Sequence, residues 1–268
     1  MGMDILSVLG GSSPNGDALI PHRDPGAIAG SVFIQENMNM SGAPRESNIL
    51  HEFLAGNVPD FLRKFIPITI SDGTISISYL VMPDVLALGS DDDYVRMPMA
   101  GMTAKQIADT YDCTLPTKKM CDQIWANAQI KLSPHPKGAP YDSSMLASNT
   151  YSWHNSIINS QLQGQDHTKF ITGHKKDVII DKNWLSNMDR VVIYGWFQTN
   201  GVPIQGPTPN WHSHELRYYA DYSHGIRLIS QDVIVNGNPM RFFDVLNNPN
   251  LASLISDEGA YDGTKIYE

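Results

Sequence analysis

Cysteine is nearly absent from this chain: Cys113 and Cys121 are the only two in 268 residues. A disulfide-stapled scaffold is therefore excluded, and at most one bridge can form. Neither cysteine has a histidine close by in sequence, which speaks against a catalytic thiol. Runs of lysine or arginine are also missing, and the net charge is −9. Phosphate backbones need a basic patch, so a nucleic-acid partner and an anionic membrane surface are both disfavoured. No apolar stretch approaches the roughly 20 residues of a membrane span. The opening "MGMDILSVLGGSSPNG" has no basic stretch ahead of its short apolar segment, so no secretory signal is evident. Internal repeats and regular alternation of strands with helices are lacking too, and this favours α+β over a doubly wound fold.

What is present is a folding composition: 41% hydrophobic and 18% charged residues are enough to bury a core. Residues 1–45 are rich in Gly, Ser, Pro, Asn and Met and read as a loosely packed leader, ahead of a single domain over 46–268. "SNILHEFLAGN" spaces Ile49, Leu50, Phe53 and Leu54 as a helix after Ser47. "IPITISDGTISISYLV" alternates about Asp72-Gly73 and predicts a hairpin. "TAKQIADTYDCTLPTKKMCDQIW" predicts two helices split at Leu115-Pro116, the first capped by Thr103 with Gln106 three residues on. Residues 133–141 are a Pro-rich connector, and "SWHNSIINSQLQ" is a further helix. "KFITGHKKDVIID" reads as strand–turn–strand, and "RVVIYGWFQTNGVPIQ" as a hairpin turning at Asn200-Gly201. A short helix ending near Gly259 closes the chain. The architecture expected is antiparallel hairpins with several helices packed on them.

The chemistry concentrates in two stretches. "NWHSHELRYYADYSHGIRL" gathers His212, His214, Glu215, Asp221 and His224 among aromatic residues. On a strand, His212 and His214 share a face and form half of a zinc site, with Asp221 or His224 completing it; on a loop they are surface residues. "DYSHG" also places His224 beside Ser223 and Asp221, although triads seldom come from sequence neighbours. "GHKKD" brings His174, Lys175, Lys176 and Asp177 to one turn, either a site where lysine stabilises an oxyanion or a charged turn. "WHNS" carries His154 on a helix, read as a core histidine bonded to backbone. "GSDDD" lacks the spacing of a calcium loop and reads as a solvated acidic turn.

The segments "GSDDDYVRMPM", "LPTKKM", "GHKKDVII", "VVIYGW" and "YADYSHGIRL" together resemble a family of uncharacterised bacterial proteins over about residues 45–260. That resemblance implies no activity. "WHSHELRY" resembles the H-x-H-x-E stretch of zinc endopeptidases that cut bacterial cell-wall cross-links. The resemblance implies His214 as a zinc ligand and His212 in acid/base chemistry, with upstream ligands from His174 and Asp177, one residue closer together than in that family.

The expectation is a hydrolase of an amide or glycosidic bond in a polymer, bacterial peptidoglycan first among candidates. In its zinc form, His214, His174 and either Asp221 or His224 hold the metal and His212 or Glu215 moves protons. In its metal-free form, His174 or His224 is the base, Lys175 or Lys176 stabilises negative charge, and Asp177 orients. Trp196, Tyr218, Tyr219, Tyr222 and Arg227 are candidate substrate contacts. The alternatives are a non-catalytic binding or structural module, secreted or phage-associated, and a polysaccharide lyase using His154 and Tyr222.

Overall fold

The computed structural model describes residues 20–166, 168–182, 184, 188–206 and 214–267, with the side chain of His214 outside that description. The fold is α+β, as its sequence implies: six helices lie among the described residues around mainly antiparallel sheets. No helix among the described residues is long and apolar enough to cross a membrane.

The Asp72-Gly73 turn forms as expected. The Asp72 carboxylate accepts from the main-chain N–H of Thr74 and Ile75, each at 2.8 Å, and Gly73 takes φ +95°. This sets Ile66–Ser71 against Ser76–Val81 with Ile66 opposite Val81. Ser76–Val81 then pairs with Ile229–Val235, which pairs with Asn238–Arg241 and with Cys113–Thr114. The central strands of this sheet are buried on both faces, so Ile77, Tyr79, Leu80 and Val233 all contribute to the core.

A second sheet carries the chemistry. Its order is Pro203–Gln205, Ile193–Phe197, Lys176–Val178, His224–Gly225. The Asn200-Gly201 turn makes the expected hairpin between the first two. The last pairing is parallel, with His224 opposite Lys176 and Gly225 opposite Asp177. The GHKKD and DYSHG stretches are therefore hydrogen-bonded neighbours.

Several local expectations change in the folded chain. Helices at Gly30–Glu36 and Gly42–Leu54 place Phe33, Ile34 and Arg45 inside, so the boundary drawn at residue 45 cuts a helix, and residues 20–45 include core contributors. Ser41, not Ser47, stands at that helix's N-cap position. Thr103 sits inside Gly101–Thr110, because its hydroxyl donates to the buried carboxylate of Glu46 at 2.6 Å instead of capping. Ile171–Thr172 and Lys176–Val178 do not pair with each other, since the former joins Ile130–Lys131 in parallel. Both cysteines are free and buried.

Gly173 makes that divergence between the two strands feasible. It has φ +93°, and a Cβ there falls 2.2 Å from the carbonyl oxygen of Leu132. Gly173→Ala is expected to lower stability by about 1–3 kcal/mol or more, since strain and collision act together. A urea unfolding curve reads this directly, and an unchanged midpoint contradicts it.

Candidate functional site

Asp221 opens the turn that precedes His224–Gly225. Its Oδ1 accepts from the Ser223 N–H at 2.7 Å and from the Ser223 hydroxyl. Its Oδ2 lies 3.8 Å from His224 Nε2 and 3.9 Å from Lys176 Nζ. Burial works against the charged carboxylate, but His224, Lys176 and the Ser223 bonds prevail and hold its pKa down to about 2. Because the Ser223 hydroxyl is committed to Asp221 and fully buried, the DYSHG stretch builds an anchored carboxylate and no nucleophilic serine.

Behind this turn lies a buried ion network centred on Asp84. Arg96 reaches its Oδ2 at 2.7 and 2.8 Å, and His174 Nε2 stands 2.8 Å from its Oδ1. Arg96 also donates to Asn155 at 3.1 Å and Asn159 at 2.8 Å, tying the Ser148–Leu162 helix to the network. Burial opposes the Asp84 charge, yet Arg96 and His174 hold its carboxyl well below the usual range. For His174, burial outweighs the pull of Asp84, so its pKa falls and the neutral ring is favoured. Lys175 is enclosed with its ammonium on the Tyr222 carbonyl; burial, then the Arg96 charge, bring its pKa down to about 7. Asp177 is raised to about 6 by burial, against the pull of Arg227, whose Nε lies 3.7 Å away. Arg227 otherwise holds the carbonyls of Met82 and Ile171, at 2.9 and 2.8 Å.

Only part of this chemistry reaches an open space. A pocket of about 600 Å³ has Lys176 and Asp221 in its lining, together with Trp196, Tyr219 and Tyr222. The connector adds Pro136, Lys137 and Tyr141 to the lining. The Lys176 ammonium sits 5.0 Å over the Trp196 ring, and burial lowers its pKa against the attraction of Asp221. The Trp196 indole N–H donates to the His174 carbonyl at 3.1 Å, and the Tyr222 hydroxyl accepts from the Lys137 N–H at 2.6 Å. The aromatic walls are thus fixed by main-chain partners.

The expected site residues divide accordingly. Asp221, Trp196, Tyr219 and Tyr222 line the pocket; His174, Lys175, Asp177, His224 and Arg227 are buried beside it and are absent from its described lining. Glu215 is exposed and accepts from the N–H groups of Arg217 and Tyr218, at 2.6 and 2.8 Å, as a local turn residue. Tyr218 is 46% exposed and also outside that lining. His212 lies outside the described residues. The main chain of His214 pairs with Val191 in a short strand. The zinc expectation turns on those two histidines; among the described residues no three His, Cys, Asp or Glu side chains are grouped to hold a metal ion. Asp84 and Arg96 escaped sequence reading because each is a single charge in an apolar run, "MPDVL" and "YVRMPM", with no local pattern to mark it. Compared with protein families, curated proteins and solved structures, the chain matches none.

Proposed function

We propose that this protein is a hydrolase of a sugar-containing polymer, bacterial cell wall foremost, and that the Lys176–Asp221 pocket is its active site. One observation carries the reading: a largely enclosed cation–carboxylate pair borders a space of about 600 Å³ lined by four aromatic rings. Aromatic faces suit the apolar faces of sugar rings, and a small set of polar groups at the base fixes orientation. Asp221, anionic down to about pH 2, is suited to stabilising the positive charge that builds as a glycosidic bond breaks. Lys176, its ammonium weakened by burial, is the group in the lining placed to give a proton to the leaving oxygen and recover it from water. An amide substrate uses the same pair with Lys176 facing the developing negative charge.

The second reading is a binding module without catalysis. It is favoured by the enclosure of His174, Lys175 and His224, which are engaged within the interior rather than presented to the pocket.

Release of soluble fragments and new reducing ends from purified peptidoglycan distinguishes the two. Asp221→Asn is expected to cut turnover by about 10²–10⁴-fold with the fold retained by circular dichroism. Trp196→Ala is expected to raise KM more than it lowers kcat. Binding by the wild type without any bond cleavage decides for the module, and full activity in Asp221→Asn removes the proposed chemistry.

A further inference from the structure

His154 is fully buried on the Ser148–Leu162 helix, and neither ring nitrogen has a hydrogen-bond partner among the described residues. The backbone bond expected of a core histidine is not made. The ring packs edge-on against Tyr222, with centroids 4.9 Å apart, and against Trp196 at 6.3 Å. Burial, reinforced by the charges of Lys175 and Arg96, keeps it neutral. One nitrogen is then a donor and the other an acceptor. Both have left water without gaining a partner, a cost that phenylalanine in the same space avoids.

Tyr222 and Trp196 are at once the neighbours of His154 and walls of the pocket. A single layer of aromatic rings therefore separates an unsatisfied imidazole from the open site. The Tyr222 ring is latched by its hydroxyl to the Lys137 N–H, on the connector that also lines the pocket. Its main chain is held separately, through the carbonyl that accepts from Lys175. The hydroxyl bond that holds the ring is thus distinct from the bonds that hold the Asp221 turn.

We infer that His154 is the polar group of a deeper subsite, reached from the pocket when the Tyr222 ring swings aside, where it hydrogen-bonds a hydroxyl or acetamido group of a bound sugar. The choice of sugar rests on the functional reading above; the path from pocket to His154 does not.

The test is ethoxyformylation of His154 by diethyl pyrocarbonate, followed by peptide mass spectrometry, with and without the tetramer of N-acetylglucosamine. The wild-type residue is expected to react slowly. Tyr222→Phe, which loses only the latch, is expected to raise the rate about tenfold, the change one hydrogen bond can hold. Tyr222→Ala is expected to raise it further, and the tetramer is expected to protect. Equal, slow modification in all three proteins overturns the subsite. If Tyr222→Ala does not fold, an unchanged rate in Tyr222→Phe overturns it alone. Faster modification without protection keeps the path to His154 but overturns sugar as its ligand, while the substrate class proposed above stands or falls by the release of fragments from peptidoglycan.

Discussion

Asp84→Asn is expected to cost about 3–5 kcal/mol of stability, the loss seen when a buried ion pair is deprived of one partner. Arg96 is completely buried, and Asp84 is the carboxylate that meets it in the ion network. Asparagine keeps the shape and can still bond, but it leaves the guanidinium charge uncompensated in the interior. The same change releases His174, which Asp84 contacts at 2.8 Å on the turn beside the pocket. Since domains of this kind are stable by only about 5–15 kcal/mol, the variant is expected to be partly unfolded at moderate denaturant. Urea unfolding measures it. Arg96→Met placed on top of Asp84→Asn is expected to restore part of the loss, because the orphaned charge goes with it. A midpoint within experimental error of the wild type contradicts the assignment of Asp84 as the network's centre.

Lys175→Met is expected to stabilise the protein at neutral pH, and by less as pH rises. The lysine is enclosed, and its pKa is about 7 in the folded chain, against about 10.4 when unfolded. Below pH 7 both states carry the proton and the folded state bears the whole burial penalty. Between pH 7 and about 10.4 the unfolded chain binds more protons, so wild-type stability climbs through that window. The penalty removed near pH 7 is on the order of 4 kcal/mol from the difference of the two pKa values. Methionine forfeits the bond to the Tyr222 carbonyl, so near pH 10 the variant is expected to be level with the wild type or slightly weaker. Unfolding free energies of both proteins at pH 7 and 9.5 check this. A difference that stays constant with pH contradicts a charge-burial origin.

The parts of the fold written in local chemistry were legible in the sequence. Asp72-Gly73 and Asn200-Gly201 specify their hairpins because each turn needs its glycine and side-chain acceptor within four residues. The α+β class followed from the same signals. What joins GHKKD to DYSHG is a parallel pairing between distant segments, and such a pairing leaves no turn to read. The charged turn expected as one reading of GHKKD is buried for a tertiary reason: Asp84 meets His174, Asp221 approaches Lys176 and Arg227 approaches Asp177, all from distant segments. Thr103 carries the local marks of a cap, yet Glu46 claims its hydroxyl from another helix. Of the candidate site, residue types were visible in the sequence, whereas their division into pocket lining and buried support was not. That division separates Asp221, Trp196 and Tyr222 from His174, Lys175 and Arg227, and it depends on how distant segments pack around the pocket.

The central claim is that the pocket bearing Lys176 and Asp221 holds a polymer segment against its aromatic walls. Calorimetric titration of soluble peptidoglycan fragments into the wild type and into Trp196→Ala tests it most directly. Saturable binding by the wild type is expected, weakened by about tenfold or more when the indole is removed. Equal affinity in the two proteins, or no binding by the wild type, contradicts it.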